Sequence, residues 1–375
     1  MRPATATAAA VTTVIGLGAA ALAAGRYASD AALKAPPGRP LPGEGQLTVH
    51  ATGPGRITLT RSLVSLRPGT YGLTGIDVHA VVGRVLDDVP HEADTVVRRL
   101  ESVGHGSLDI GTRVRFTPQL YSGTPSSALG IDHEDVEIPG ELGDLPAWLV
   151  RGARTTWIIA VHGLGAGREQ SMNLMPFLTG RKFPVLALAY RGDPGAPGSP
   201  DGLGHLGDSE WRDLDAAVRF AVRAGAQRVI VHGWSTGASM ALHAAASSAL
   251  RDRIAGLVLD SPMLDWEATL RALAAAHRTP SPLLPLAVRA AQGRTGLHSD
   301  RLAVAAAPDG LRVPTLIFHG PDDTFAPWQP SRDLAAARPD LVTLHTVPEA
   351  PHAAMWNADP ARYEEALRRF LTPLI

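Results

Sequence analysis

Residues 228–238 decide the fold, and they read Arg228-Val-Ile-Val-His-Gly-Trp-Ser-Thr-Gly-Ala238. The apolar run Val229–His232 is typical of a buried strand, and the Ala-rich run Ala238–Ala249 is typical of a helix. The turn between them is a Gly-x-Ser-x-Gly pentapeptide centred on Ser235. A serine on a sharp turn from strand to helix is the usual geometry of a nucleophile, and the glycines allow the close backbone approach that the turn requires. The segment therefore predicts a nucleophilic hydroxyl on Ser235.

Two later loops supply the base and the acid that a serine nucleophile needs. The buried strand Thr315–His319 is followed by two carboxylates, Asp322 and Asp323. The next strand along the chain ends shortly before His352. Because open α/β sheets build their sites at the carboxyl ends of the strands, all of these side chains are expected at the edge that carries Ser235. The chain order serine, aspartate, histidine indicates a catalytic triad with either aspartate as its acid.

The rest of residues 151–375 alternates strands with helices. Short, almost wholly apolar runs are typical of strands buried on both faces, and amphipathic segments lie between them. The apolar runs are Thr156–Val161, Val185–Tyr190, Val229–His232, Gly256–Asp260, Thr315–His319 and Leu341–Val347. The alternation predicts an α/β fold, a mostly parallel sheet with helices on both faces.

An insertion at about 264–312 is too long for a plain connection between two strands. It contains two helical pieces, near Glu267–His277 and Leu283–Gln292. Insertions at this level of a sheet commonly form a lid or a pocket wall, and we expect that role here.

The first 150 residues are organised differently. Residues 46–150 alternate short β-rich runs with Gly and Pro turns, which predicts a small β-rich annex, interrupted by a helix at Glu92–Val103. Residues 35–45 are rich in Pro and Gly and are expected to form a linker. We expect this annex to precede the α/β domain at 151–375, and its last strands are candidates to continue directly into the next sheet.

Residues 1–34 contain an uncharged, Ala-rich stretch from Pro3 to Gly25. The stretch is just long enough to cross a bilayer as a helix, which predicts a single membrane anchor. A cleaved signal peptide is the alternative, since Ala21-Leu22-Ala23 resembles a cleavage site. The protein is therefore expected at a membrane, or secreted if the segment is removed.

The amino-acid composition excludes several classes of partner and of active site. The 375 residues carry a net charge of −1 without a long basic run, so nucleic acid is not an expected partner. The chain has no cysteine, which excludes disulfides, thiolate nucleophiles and cysteine-ligated metals. The acidic run Asp132-His133-Glu134-Asp135 lies among turns and reads as a solvated loop. The glycines at 163–167 lack the spacing of a dinucleotide loop. We expect no metal and no cofactor.

Residues from about 150 to 375 resemble the α/β-hydrolase family, near its dienelactone-hydrolase, monoacylglycerol-lipase and prolyl-oligopeptidase-like branches. The pieces that carry the resemblance are His162-Gly163-Leu164-Gly165, Tyr190-Arg191-Gly192, the Gly-x-Ser-x-Gly turn, His319-Gly320-Pro321-Asp322-Asp323 and His352. The resemblance implies that Asp323, the last residue of a His-Gly-x-x-Asp pattern, is the acid, with Asp322 as the fallback. Asp260 occupies an alternative acid position of some relatives, but a capping or lid contact is favoured.

Three other histidines of the α/β region are expected to have structural roles. His232, His319 and His345 lie in or beside strands, which favours core or supporting roles over catalysis. Thr236 stands where the family often has Met or Gly, and this change leaves its backbone donor intact.

The oxyanion of a tetrahedral intermediate needs hydrogen-bond donors that are in place before the reaction starts. The backbone N–H of Thr236, directly after the nucleophile, is one candidate. The loop after the strand Thr156–Val161 supplies the other, the N–H of Leu164, with Gly165 next. The resemblance then implies a serine hydrolase acting on a small acyl substrate, most often a carboxylic ester. A peptidase of the same fold and a non-catalytic, membrane-tethered binding protein are the alternatives.

Overall fold

The computed structural model describes residues 26–27, 29–30, 33–34, 45–296 and 307–375. The hydrophobic stretch at 3–25, expected as anchor or signal, and nearly all of the linker at 35–45 lie outside the described residues. Within the described ranges, every helix is too short or too polar to cross a bilayer.

The described chain forms an N-terminal barrel and a larger sheet covered by helices. The strands are β1 (Leu47–Gly53), β2 (Arg56–Thr60), β3 (Tyr71–Gly75), β4 (Val78–Val85), β5 (Thr95–His105), β6 (Arg113–Thr117), β7 (Glu134–Pro139), β8 (Asp144–Val150), β9 (Thr156–Val161), β10 (Val185–Leu188), β11 (Arg228–Trp234), β12 (Ile254–Asp260), β13 (Thr315–His319) and β14 (Val342–Thr346). The helices are α1 (Pro125–Leu129), α2 (Met175–Gly180), α3 (Trp211–Arg223), α4 (Thr236–Ser247), α5 (Trp266–Ala276), α6 (Leu284–Thr295), α7 (Gln329–Ala337), α8 (Met355–Ala358) and α9 (Pro360–Leu371).

Strands β1 to β6 close into an antiparallel barrel with the order β1-β2-β5-β4-β3-β6. Side chains such as Val49, Leu59 and Leu73 fill its interior. Arg98 is also buried there, and its guanidinium donates hydrogen bonds to four backbone carbonyls. Closure pairs the edges that an open sheet would leave free, so the β-rich annex is a barrel with its own core.

The helix expected at Glu92–Val103 is wrong, because this segment forms β5. Thr95, Val96 and Val97 are β-branched at the start of the strand, and such side chains fit a pleated surface better than a helix. The strand pairs with β2 on one side and β4 on the other. These non-local hydrogen bonds override the local helical signal of the Arg–Leu–Glu stretch that follows.

Eight strands form the main sheet, in the order β14-β13-β12-β11-β9-β10-β8-β7. The strands from β10 to β14 run parallel to their neighbours, while β8 and β7 are antiparallel at one end. One apolar core lies under α3 and α4 and contains Leu214 and Met240. The other lies under α2 and α9 and contains Phe177 and Leu367. The expected α/β fold, a mostly parallel sheet with helices on both faces, is confirmed.

The α/β region begins earlier than the predicted boundary at 150. Strands β7 and β8 belong to the main sheet, where β8 pairs with β10 and buries Trp148 and Leu149. The two strands form an antiparallel hairpin, so they show the same short runs and turn residues as the barrel strands before them. Periodicity alone did not separate the two structures.

Helices α5 and α6 occupy the described part of the insertion, at positions close to those expected. They share an apolar cluster with Leu33, Leu203 and Phe325, and Leu164 packs against its rim. Residues 297–306 of the insertion lie outside the described residues.

Candidate active site

Ser235 lies on the turn between β11 and α4, with φ 52° and ψ −112°. Non-glycine residues rarely adopt this backbone region, and such strain persists only where the surroundings enforce it. The two flanking glycines enforce it. A Cβ on Gly233 would lie 2.3 Å from the carbonyl oxygen of Gly237, and one on Gly237 would lie 2.2 Å from that of Val161. The turn can therefore form only with glycine at both positions.

The structure brings Ser235, His352 and Asp323 together. The Oγ of Ser235 lies 2.7 Å from Nε2 of His352, and Nδ1 of His352 lies 2.8 Å from Oδ2 of Asp323. Because the carboxylate accepts the Nδ1 proton, Nε2 is left to accept the hydroxyl proton of Ser235. The three side chains thus form one continuous hydrogen-bonded chain, at the edge of the sheet where the sequence places them.

Asp323 is held as a charged carboxylate. Its Oδ1 accepts backbone hydrogen bonds from Phe325 and Ala326 at 2.9 Å, and Nε2 of His319 lies 3.2 Å from its Oδ2. Burial would raise the pKa of Asp323, but the charge and hydrogen bonds of His352 and His319 hold it well below the usual range. The acid therefore keeps its negative charge opposite the imidazole.

Asp322, the fallback acid, does not contact His352. It is exposed, and its Oδ2 accepts a hydrogen bond of 2.8 Å from the backbone N–H of Glu349. This contact braces the loop after β13 against the loop that leads to His352. The structure gives the two neighbouring aspartates different partners.

Asp260 is buried directly behind the nucleophile. Its backbone carbonyl accepts the N–H of Ser235 at 2.9 Å, and its Oδ1 accepts the hydroxyl of Ser261 at 3.1 Å. Burial raises the pKa of Asp260 to about 7. Ser261 in turn accepts the N–H of Ala353, next to His352, at 2.9 Å. Asp260 therefore makes neither the capping nor the lid contact expected for it, and it is linked instead to the loops of Ser235 and His352.

The three histidines with expected structural roles do not contact Ser235 or His352. His232 stacks on Trp234 with ring centroids 4.1 Å apart and lies 3.0 Å from the hydroxyl of Tyr363. The ring of His345 packs beside that of Phe318, with the two centroids 5.5 Å apart. His319 reaches the site only through Asp323, so all three have supporting positions.

The backbone around Leu164 and Thr236 surrounds the nucleophile. Thr236 is the first residue of α4, where N–H groups have no partner within the helix. A Cβ on Gly163 would lie 2.9 Å from Cβ of Ser235, so the chain after β9 passes directly over the serine. Leu164 and Gly165 follow and line the same cleft as His352. The structure therefore brings the segment of Leu164 and Gly165, as well as the start of α4, close to Ser235.

Gln170 is a residue of the site that sequence reasoning missed. It is 3% exposed, its Oε1 accepts the N–H of Gly163 at 2.9 Å, and its Nε2 donates to the carbonyl of Ala353 at 3.4 Å. One side chain therefore connects the loop after β9 with the loop of His352. No local pattern marks it, because it lies in the short 3₁₀ helix Arg168–Asn173 and both of its partners come from other segments.

A buried pair holds the start of the same loop. Nε2 of His162 lies 2.7 Å from Oδ2 of Asp193, which also accepts the N–H of Tyr190 at 2.8 Å. Burial alone would lower the pKa of His162, but the charge of Asp193 and its hydrogen bond raise it. The pair joins the His-Gly-Leu-Gly and Tyr-Arg-Gly segments that carry the sequence resemblance.

A cleft of about 410 Å³ is lined by Gly163 and His352, and both residues lie next to Ser235. In the described ranges, no three His, Asp or Glu side chains are grouped to hold a metal ion. The solvated loop expected at 132–135 is wrong for Glu134 and Asp135, because both belong to β7 and pair with β8. Glu134 also accepts two hydrogen bonds from the guanidinium of Arg151.

Two known protein families match parts of the chain. Residues 152–307 match the family described as serine aminopeptidase, S33, and residues 48–117 match a domain of unknown function (DUF8805). The uncharacterized protein YfhR of Salmonella typhimurium is 24% identical over 269 residues, which cover 68% of this chain and 84% of that protein. The protein of the same name from Escherichia coli O157:H7 is 24% identical over 241 residues, which cover 62% and 76%.

Among solved structures, the esterase Pf2001 of Pyrococcus furiosus is similar, with a TM-score of 0.55 and 21% identity. The similarity covers 68% of this chain and 94% of the esterase. At 21% identity, the similarity shows that the two proteins share a fold.

Proposed function

Because the chain belongs to the α/β-hydrolase superfamily, we propose that it is a serine hydrolase that cleaves carboxylic esters. The observation that carries the proposal is the continuous hydrogen-bonded chain from Ser235 through His352 to Asp323. The strained turn under Ser235 and the carboxylate form of Asp323 support it, since both prepare the hydroxyl for attack.

In the proposed mechanism, Oγ of Ser235 attacks the acyl carbonyl carbon while Nε2 of His352 removes the hydroxyl proton. Asp323 stabilises the imidazolium that forms. The carbonyl oxygen becomes an oxyanion, which accepts hydrogen bonds from the N–H groups of Thr236 and Leu164, with Gly165 as the neighbouring donor. His352 then returns the proton to the departing alcohol oxygen.

The acyl group remains bonded to Ser235 after the alcohol leaves. A water molecule attacks this acyl-enzyme while His352 takes the water proton, and collapse of the second tetrahedral intermediate releases the acid. The proton passes from His352 back to Ser235. No metal or cofactor takes part in these steps.

A fluorophosphonate probe tests the assignment, because it reacts with activated serine hydroxyls. We expect the wild-type protein to be labelled and Ser235→Ala to lose both labelling and hydrolysis of p-nitrophenyl esters. Ser102→Ala is the matched control, since Ser102 is exposed on β5 in the barrel. Labelling of Ser235→Ala at the wild-type level would end the assignment.

Peptide-bond cleavage is the second candidate, favoured by the description of the matched family as a serine aminopeptidase. The same triad serves both reactions. Comparing turnover of aminoacyl arylamides with that of short p-nitrophenyl esters separates them, and faster arylamide turnover would reverse our preference. The third reading, a binding protein without catalysis, requires that the wild-type protein resist the probe.

We also propose that residues 3–25 attach the protein to a membrane, or direct its secretion if they are removed. The support is the length of the uncharged stretch. Cell fractionation with N-terminal sequencing of the mature protein tests this, and a soluble, intracellular and uncleaved product would contradict it.

A further inference from the structure

The barrel is fixed to the loop that carries His352. Nδ2 of Asn357, in α8, donates to the carbonyls of Thr70 and Pro118, both at 2.9 Å. The N–H of Thr70 donates back to the carbonyl of Asn357 at 2.9 Å, and Ala354 is part of the barrel core. Helix α8 begins three residues after His352, so the barrel is held close to the reacting groups.

The barrel also lines the cleft that leads to Ser235. On one side stand Gly163, Leu164, Phe325 and His352 of the α/β region. The other side consists of barrel residues, among them His79 and His105, and of the segment that leaves the barrel, which includes Gln119 and Tyr121. The described residues of the insertion, 264–296 and 307–312, do not line it. A substrate in this cleft therefore lies against the barrel rather than the insertion.

The barrel side of the cleft is rich in flat rings. His79 and His105 are partners across β4 and β5, and their rings are nearly parallel, with centroids 5.9 Å apart. Tyr121 also lines the cleft, and so does Phe325, whose ring lies 5.7 Å from that of His352. The ring of Phe116 is buried beneath them and stacks on Tyr71 in the barrel core. Aromatic groups pack on such rings in offset or edge-on arrangements.

Charge near this wall is balanced. Arg168 and Glu169 are neighbours on the rim of the cleft, and the guanidinium of Arg168 lies over the ring of Trp148 at 4.4 Å. Asp193 also reaches the cleft but is paired with His162. The wall offers flat apolar and imidazole surface without a surplus of one charge, which suits an uncharged ring.

We infer that the barrel is the substrate-selecting wall of the active site, and that it favours uncharged esters carrying an aromatic ring over aliphatic esters of equal size. His105 and Tyr121 are the specificity-determining residues that the inference assigns. It rests on the proposed esterase function and gives the barrel a role in it.

Paired substrates test the inference, because each pair differs only in the flatness of its ring. Ethyl phenylacetate is compared with ethyl cyclohexylacetate, and benzyl acetate with cyclohexylmethyl acetate, so that the ring is tested on the acyl side and on the alcohol side. The readout is the ratio of kcat/KM for the aromatic and saturated members of each pair. Differences in protein concentration or folded fraction cancel in this ratio.

His105→Gln and Tyr121→Leu remove a ring but keep a side chain of moderate size, and neither side chain is fully buried. We expect each to lower the aromatic preference in one of the two pairs by about two- to tenfold, the loss of one ring contact. His50→Gln is the control, since His50 is an exposed barrel histidine on β1 that bonds Thr60 away from the cleft. It should leave the ratio unchanged.

The outcomes separate this inference from the function on which it rests. If the fluorophosphonate labels the wild-type protein and both variants keep the ratio of His50→Gln, the barrel is not the selecting wall and the inference is wrong. If the probe does not label the wild-type protein, the proposed function fails and the inference fails with it. A reduced ratio in His105→Gln or Tyr121→Leu supports both.

Discussion

Ser235 sits in a backbone conformation that its own side chain does not favour, with φ 52°. Its neighbours supply the reason: Gly233 and Gly237 allow three backbone segments to meet at distances that a Cβ would forbid. Around this point each side chain of the proposed triad has a partner that fixes its orientation. His352 is held by Asp323, and Asp323 by two backbone N–H groups and His319. At the scale of single residues, these hydrogen bonds define the geometry on which the proposed function depends.

The two adjacent aspartates give the sharpest test at this scale. Asp323→Asn should lower kcat by about 10⁴-fold, because the amide no longer orients the imidazole in the form that accepts the serine proton. Asp322→Asn is the matched control and should change kcat only slightly, since Asp322 contacts Glu349 instead. Steady-state kinetics with p-nitrophenyl acetate would measure both, and equal losses would contradict the assignment.

The buried carboxyl group of Asp260 should make the stability of the folded protein depend on pH. Its pKa is about 7 in the folded protein, because burial penalises the charged carboxylate, and about 4 in the unfolded chain. Between about pH 4 and about pH 7, Asp260 is protonated in the folded protein but ionised in the unfolded chain. Its contribution to the free energy of unfolding is therefore complete below about pH 4 and is lost as the pH rises through about 7. Asp260→Asn removes the titration.

Urea unfolding at pH 5 and pH 8 measures the effect of Asp260→Asn. The wild-type free energy of unfolding should fall by a few kcal/mol relative to that of the variant over this range. Parallel pH profiles of the two proteins would show that Asp260 is not the group responsible.

Secondary-structure elements bring distant segments to one edge of the sheet. Strands β9, β11, β12 and β13 run parallel, so the loops that follow them lie together at their carboxyl ends. The loops are then joined to one another by side chains that no strand pattern marks. Gln170 joins the loop after β9 to the loop of His352, and Asp322 joins the latter to the loop after β13.

Gln170→Ala tests this connection between elements. The buried N–H of Gly163 would lose its acceptor, which costs about 1–3 kcal/mol of folding free energy. The loop that carries Leu164 would also lose its support, so kcat should fall more than KM rises. Gln170→Glu restores an acceptor and should recover part of kcat. Thermal unfolding and ester kinetics check both effects, and an unchanged kcat in Gln170→Ala would show that the loops are positioned independently.

At the scale of the whole molecule, the barrel and the α/β region line one cleft together. The contacts are polar and buried at Asn357, which is 1% exposed, and apolar at Ala354 in the barrel core. Every strand of the closed barrel is paired on both sides. Through Asn357 and Ala354 the barrel contacts the segment that directly follows His352.

Asn357→Ala tests the connection between the two parts. The carbonyl of Thr70 would lose its side-chain donor, while that of Pro118 would keep a hydrogen bond from Asn173, and we expect a loss of about 1–3 kcal/mol in the free energy of unfolding. The activity should fall as well, because the His352 loop is released. Calorimetry and ester kinetics measure the two effects, and wild-type kinetics in a destabilised Asn357→Ala protein would mean that the barrel supports the fold alone.

Local sequence determined the features whose causes are local. The apolar runs and the glycines around Ser235 predict the buried strands and the strand–turn–helix, because these depend on side chains a few positions apart. Chain order together with the parallel sheet also placed an aspartate and His352 beside Ser235. The choice of Asp323 over Asp322 came from the family resemblance. Tertiary structure alone decided the rest: that Gln170 joins two loops of the site, that residues 95–105 form a barrel strand, and that the barrel lines the cleft. Each of these depends on hydrogen bonds or packing between segments far apart in the chain, and such contacts leave no periodic signal in either segment.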